Sequence, residues 1–243
     1  MTDQAAASPS PSGANPPVRT EVFSTGRFPA PSLVRNADLA AKAALVVLLA
    51  LALAYPHMGN MEDKGAGLRA VAYPLLAFAI PAVWYLWWRE RASFPWLADL
   101  LVTMTCFADI LGNRLNLYDS IGWFDDWMHF MNNGLLVAAV ILLTLRRSST
   151  LGAVIERGLA FGVTAAVGWE IAEYFAFITK SSELRLAYAD TLGDLALGTM
   201  GSVTAALLIH AAWRQGYLAT TAPQLDIGAR EALGRSRPDS PAR

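Results

Sequence analysis

Long apolar blocks alternate with short polar segments along most of the chain. Each block has roughly 17–24 residues, which is the length of helix needed to cross about 30 Å of hydrocarbon. The blocks cover approximately residues 39–55, 68–88, 96–117, 127–145, 158–178 and 190–213. This pattern predicts an all-α fold, namely a polytopic transmembrane helix bundle with about six membrane-spanning helices.

The segments outside the blocks define the predicted domain boundaries. Residues 1–36 are rich in Pro, Ser, Ala and Gly without an apolar period, so they predict a disordered cytoplasmic tail. Residues 37–214 form the predicted transmembrane domain, and residues 215–243 form a second disordered cytoplasmic tail. Pro74 and Pro81 interrupt the second block, where a membrane helix tolerates them as kinks.

Composition supports a membrane protein over a soluble one. Hydrophobic residues make up 54% of the chain and charged residues 16%, whereas soluble domains have about 45–50% and about 25%. No basic run indicates a nucleic-acid surface. The expected partners are the lipid bilayer and a small lipid or envelope substrate, with no nucleic acid.

The Lys and Arg residues beside the blocks predict the orientation of the helices. With the N-terminus inside, the inner segments carry roughly twice as many positive charges as the outer loops. The inner set is Arg19, Arg27, Arg35, Lys42, Arg89, Arg91, Arg146, Arg147, Arg157 and Arg214. The outer set is Lys64, Arg69, Arg114, Lys180 and Arg185. This bias predicts that both termini are cytoplasmic.

Ionisable residues recur within or at the edges of the last four blocks. Each costs roughly 2.5–3.5 kcal/mol at the centre of a bilayer, so it must face protein, water or a cation. The pairs are Asp109 with Asn113, Asp126 with His129, Glu170 with Glu173, and Asp190 with Asp194. Spacings of three and four place each pair on one helix stripe.

The alternating helix directions bring all four pairs to the outer half of the bundle. We therefore predict one polar cavity that opens to the outer face and is walled by the third to sixth helices. Carboxylates with one imidazole are typical of Mg, Mn or Fe sites. The predicted divalent-cation ligands and catalytic residues are Asp126, His129, Glu170, Glu173, Asp190 and Asp194, with Asp109 and Asn113 behind them.

Three of these segments also resemble a known family. They are Asp125-Asp126-Trp-Met-His129-Phe-Met-Asn-Asn-Gly134, Trp169-Glu170-Ile-Ala-Glu173-Tyr, and Asp190-Thr-Leu-Gly-Asp194. In this order, over roughly residues 100–210, they resemble the YjdF-like bacterial inner-membrane proteins, which are distantly similar to the VanZ-like family. The pair Asn132-Asn133 and the long N-terminal tail depart from that pattern. The resemblance implies a bacterial inner-membrane location and no particular activity.

Three functions remain open. A bound metal could activate water against a lipid-linked or envelope substrate, which would make the protein an enzyme. Membrane acids with a His also build proton-coupled transporters, although no inverted repeat is evident and the inner half has no matching polar residues. The third function is a scaffold in which Arg114, Lys180, Arg185 and His129 pair with the acids.

Independently, Gly158, Gly162, Gly198 and Gly201 predict close helix crossings.

Overall fold

The computed structural model describes residues 32–55, 57, 66–89, 92–176 and 187–218, and within these residues the secondary structure is helical without strands. Eight α-helices and one π-helical segment, Trp84–Trp88, make up the described part of the chain. The α-helices are α1 Ser32–Ala54, α2 Ala66–Ala77, α3 Ala79–Val83, α4 Trp96–Arg114, α5 Leu117–Ser120, α6 Phe124–Thr144, α7 Leu151–Ala176 and α8 Ala187–Arg214.

Every predicted apolar block carries a helix, but the described residues support fewer spans than six. Four helices are long and apolar enough to cross a membrane, namely α1, α6, α7 and α8. A fifth span results if α2, α3 and the π-helical segment, which are joined by a bend, are counted together as one membrane-crossing helix. Helix α4 occupies the third predicted block and has 19 residues. Its polar residues, among them Asp99 and Asp109, lower its hydropathy.

Several predicted features lie outside the described residues. These are the tails over residues 1–31 and 219–243, and the loop residues Lys64, Lys180 and Arg185. Helix α1 begins at Ser32, a few residues before the predicted boundary at 37. Helix α4 ends at Arg114, ahead of the predicted end at residue 117, because Asn116 adopts the left-handed conformation with φ 57°.

The proline kink in the second block is confirmed. Helices α2 and α3 meet at Phe78, and the axis bends by 42° there. Pro81 lacks the N–H that would bond the carbonyl of Ala77, and its ring crowds that carbonyl. Pro74 lies inside α2 without ending it.

The helices form two packed groups that share α4. Helices α1, α2 and α4 enclose a small apolar cluster that includes Leu45, Leu49 and Ile110. Helices α6, α7 and α8 enclose a larger one, which α4 joins through Ala98 and Val102. Many large apolar side chains point outward, including Val47, Leu53, Leu75, Phe175 and Leu208. Soluble monomers rarely expose so much contiguous apolar surface, so this belt fits a multi-pass membrane protein.

Helices α6, α7 and α8 pack through rows of residues spaced by four. The rows are His129, Asn133 and Val137 on α6, Glu170, Ala166, Gly162 and Gly158 on α7, and Asp194, Gly198, Ser202 and Ala206 on α8. A Cβ atom at Gly162 would lie 2.8 Å from Val137 Cγ2 and 2.8 Å from Ser202 Cβ, and one at Gly198 would lie 3.3 Å from Ala166 Cβ. The close crossings predicted at the glycines are therefore confirmed.

Helices α6 and α8 make the closest backbone approach in this group. A Cβ atom at Gly201 would overlap the carbonyl oxygen of Phe130 and lie 2.9 Å from its carbonyl carbon. Gly134 faces Gly201 in turn, since a Cβ there would lie 3.2 Å from the Gly201 carbonyl oxygen. Only glycine at position 201 allows the two helices to cross at this distance.

The Asn133 amide ties the three helices together one turn below His129. Its Nδ2 donates to the carbonyl oxygens of Gly162 at 3.1 Å and Gly198 at 2.7 Å, and to Ser202 Oγ at 2.9 Å. Asn133 follows His129 by four residues and therefore lies on the same stripe of α6, where its amide contributes to helix packing.

We expect Asn133→Ala to destabilise the protein by about 1–3 kcal/mol, because the buried hydrogen bonds that join α6 to α7 and α8 are lost. Thermal unfolding in detergent, followed by circular dichroism, measures the effect. The matched control is Thr164→Ala, whose hydroxyl is exposed and bonds the carbonyl of Ala160 in its own helix. Equal stability of the two variants would contradict the role of Asn133 as a link between helices.

Candidate functional site

The first turn of α6 is fixed by aromatic packing against the end of α4. Gly112 leaves room for the Phe124 ring, since a Cβ atom there would lie 2.7 Å from Phe124 Cε1. Phe124 packs edge-on against Tyr118, with ring centroids 4.9 Å apart. This contact sets the position of Asp125 and His129, which follow on the same helix.

The imidazole of His129 lies between three carboxylates from three helices. Its Nε2 is 3.6 Å from Asp125 Oδ1 and 3.7 Å from Asp194 Oδ1, and its Nδ1 is 3.5 Å from Glu170 Oε1. The side chains of His129 and Glu170 are each 10% exposed, and that of Asp194 is 5% exposed. Glu170 Oε1 is buried and has no hydrogen-bond partner. The centre of this cluster is therefore largely withdrawn from solvent.

Two groups of three potential metal ligands, here called the triads, share His129. One triad comprises Asp125, His129 and Asp194, and the other comprises His129, Glu170 and Glu173. Within each triad, one potential ligand atom from each residue lies within 4.8 Å of those from the other two. Ligand atoms about 2.1 Å from one metal ion are roughly 3.0–3.5 Å apart. The distances of 3.5–3.7 Å around His129 are close to that range. The side chains could thus contact a cation after small movements.

Of the six predicted site residues, four come together and two lie apart from the triads. His129, Glu170, Glu173 and Asp194 belong to the triads, whereas Asp126 and Asp190 are exposed. Both acids remain electrostatic neighbours of His129. The position expected for Asp126 is taken by Asp125, whose carboxylate faces His129 although 43% of its side chain is exposed. Spacings of three and four fit one stripe equally well, so the sequence could not separate the two.

The structure places Asp109 in a separate network beside the triads. Its carboxylate accepts hydrogen bonds from Arg69 Nε at 2.8 Å, from Tyr118 Oη at 2.9 Å and from Tyr73 Oη. Asn113 Nδ2 donates to the backbone carbonyl of Asp109 at 3.0 Å. Helix α4 therefore contributes no member to the triads, and its Asp109 contacts Tyr118 of α5, which packs against Phe124 at the start of α6.

Tyr118 lies outside the spanning helices, in α5, and is well suited to donate to Asp109. Burial, and then the Asp109 carboxylate, raise the pKa of the Tyr118 hydroxyl well above its ordinary value. The hydroxyl therefore keeps its proton across the physiological range. The negative charge of Asp125 acts in the same direction, which indicates that the Asp109 network and the His129 triads lie near one another.

Two basic residues assigned to loops are buried within helices instead. Arg69 is 8% exposed and pairs with Asp109, and Lys42 is 7% exposed and pairs with Asp38 and Asp99. Buried charged residues therefore occur near both ends of α4, and the expectation that they are confined to the end with Asp109 is wrong. The missed signal was the i, i+4 spacing of Asp38 with Lys42 and of Asp99 with Thr103.

Comparison with known families gives one match. Residues 40–215 match the family described as predicted membrane protein, DUF2238. The chain belongs to the DUF2238 family. No curated protein and no solved structure matches the chain.

The match covers all of the triad residues of this DUF2238 chain. It supports the membrane part of the sequence interpretation, because family and fold both indicate a multi-pass membrane protein. The description of the family mentions neither the YjdF-like nor the VanZ-like proteins, and it assigns no activity.

Proposed function

We propose that this chain is a metal-dependent membrane enzyme that binds a divalent cation at His129 and acts on a lipid or envelope substrate. One observation carries the proposal. The His129 imidazole is held at 3.5–3.7 Å from Asp125, Glu170 and Asp194, and the facing oxygen of Glu170 is buried without a hydrogen-bond partner.

The charge of the cluster favours a cation as its ligand. The two triads contain four carboxylates and one imidazole. Carboxylates this close repel one another when they are ionised, and burial increases the cost of each unpaired charge. A divalent ion among them would offset two negative charges and give Glu170 Oε1 a partner.

The ligand types favour a hard cation. Oxygen ligands with a single imidazole suit Mg, Mn or Fe, whereas structural zinc sites are usually rich in Cys or His. A cation held by one triad would leave the carboxylates of the other to accept a proton from bound water. This division of roles supports hydrolysis better than passive binding.

Aromatic residues around the same end of the bundle support a substrate at the membrane surface. Trp123, Trp127 and Tyr188 are exposed beside the first turns of α6 and α8. Such side chains favour the level of lipid headgroups, so a lipid phosphate is the substrate class that fits. We place this end outside the cytoplasm in a bacterial inner membrane, with α4 as a sixth span and both termini inside. The order of the three motifs supports kinship with the YjdF-like proteins.

Binding of Mn²⁺ to the purified protein tests the cation site, and two neighbouring aspartates give a matched pair. We expect Asp125→Asn to weaken Mn²⁺ binding about 10–100-fold whichever triad holds the cation, because Asp125 is a member of one triad and an outer partner of His129 in the other, and loss of an outer partner alone typically costs this much. Asp126→Asn removes the same charge from an exposed position and should leave affinity within about twofold. Stoichiometric binding that depends on Asp126 and not on Asp125 would overturn the assigned geometry.

The enzymatic step is tested separately, in nanodiscs that contain a polyprenyl diphosphate. Metal-dependent release of inorganic phosphate that stops on chelation would support the enzyme. Cation binding without turnover, together with cation or proton flux in proteoliposomes, would favour the transporter. Buried charges near Asp99 as well as near His129 give that alternative a specific basis.

A further inference from the structure

A second buried cluster of charged side chains lies at the opposite end of α4 from the His129 triads. Lys42 Nζ lies 3.0 Å from Asp38 Oδ1 and 3.0 Å from Asp99 Oδ1. Thr103 Oγ1 contacts Lys42 Nζ and lies 3.2 Å from Asp38 Oδ1. Asp99 is ten residues before Asp109, which corresponds to about 15 Å along the helix.

Three of the four carboxylate oxygens of Asp38 and Asp99 lack a hydrogen-bond partner. Asp38 and Asp99 are each 1% exposed. Asp38 Oδ2 and both side-chain oxygens of Asp99 have no hydrogen-bond partner, although Asp99 Oδ1 is close to the ammonium. Two ionised carboxylates against one ammonium would leave a net negative charge in a region without solvent, which is costly.

Among the described residues, Lys42 is the cation in contact with these carboxylates. Lys42 and Asp38 are the charged groups that act on Asp99. The Phe78 ring at the α2–α3 bend lies 5.7 Å from Lys42 Nζ, and the buried Cys106 thiol is the next titratable group along α4. Toward α6, helix α4 packs through Ala98 and Val102 into an apolar cluster. The ammonium occupies the place between the carboxylates, so a metal ion does not fit there.

We propose that Asp38, Lys42 and Asp99 form a proton-binding site whose two carboxyl groups share one exchangeable proton at neutral pH. With that proton the cluster is neutral, because one carboxylate balances the ammonium. The site depends on neither a metal nor the reaction proposed at His129. Its ligand is a proton taken up at the end of the bundle where α1 and α4 begin.

Infrared spectroscopy of the full chain in nanodiscs, with EDTA present, tests this proposal. A protonated carboxyl group has a carbonyl band that a carboxylate lacks. We expect the wild type to show such a band at pH 7 and to lose it reversibly in alkaline buffer. Asp99→Asn and Asp38→Asn should each weaken the band by the share of this cluster, since one carboxylate with Lys42 is already neutral, while protonated carboxyl groups of the metal-free His129 triads keep their own share. Lys42→Met should show a larger band, because both carboxyl groups then need protons.

The controls separate this site from the cation site. Asp126→Asn should keep the wild-type band at pH 7. Thermal unfolding identifies any variant that fails to fold, and the two aspartate variants provide independent tests. A wild-type spectrum without the band, or a band as strong in both Asp38→Asn and Asp99→Asn as in the wild type, would overturn the proposal. Because EDTA is present throughout, neither result bears on Mn²⁺ binding at His129.

Discussion

Replacing His129 with Gln will weaken Mn²⁺ binding by about 100-fold or more, at the upper end of effects seen at metal centres. His129 belongs to both triads, so its loss removes the shared ligand whichever triad holds the cation. Glutamine keeps a polar group but has no imidazole nitrogen near Asp194 and Glu170. Isothermal titration calorimetry on the purified protein measures the change.

His210→Gln is the matched control for this experiment. His210 lies on α8, 16 residues beyond Asp194 and therefore about 24 Å further along the helix. The same substitution there should leave Mn²⁺ affinity unchanged within about twofold. If the two histidine variants bind Mn²⁺ equally well, the cation is not at His129 and the proposed enzyme loses its basis.

The second large effect is expected at Gly201, where a single methyl group should cost about 3 kcal/mol or more. Overpacking usually costs 1–3 kcal/mol. Here the new Cβ would meet the backbone of Phe130, with its carbonyl carbon at 2.9 Å, and backbone cannot rotate away. We expect Gly201→Ala to lower the unfolding midpoint in detergent and to weaken Mn²⁺ binding, because α8 carries Asp194.

Gly193→Ala is the control, since a Cβ atom at Gly193 would have no neighbour within 4 Å. It lies on the same helix, where alanine favours helix over glycine by up to about 1 kcal/mol. We expect this variant to be as stable as the wild type or slightly more so. A Gly201→Ala protein that unfolds like Gly193→Ala would show that α6 and α8 cross further apart.

The sequence predicted the helical fold because every apolar block is longer than a soluble core helix needs. It predicted the approach of His129, Glu170, Glu173 and Asp194 because alternating helix directions bring the starts of α6 and α8 and the end of α7 to the same side of the bundle. Helix ends were less predictable. The last turn of α4 depends on the left-handed backbone of Asn116, which no hydrophobic pattern reports.

Partners within the bundle could not be derived from spacing alone. Asp109 pairs with Arg69 from a helix forty residues earlier, and Lys42 reaches Asp99 from α1. A count of loop charges treats both basic residues as solvated. Which of Asp125 and Asp126 faces inward depends on how Phe124 packs against Gly112 and Tyr118, a tertiary contact without a local signature.

The layer formed by Asn133, Ala166 and Gly198 sets the spacing of α6, α7 and α8 independently of the potential metal ligands. Each of these residues lies one turn deeper than His129, Glu170 or Asp194 on the same helix, and none of them supplies a ligand atom. The frame that spaces the three helices is thus separate from the groups that would select an ion. Substitutions at Asp125 or Glu173, outside the three rows, could alter ion preference during evolution without rebuilding the scaffold beneath.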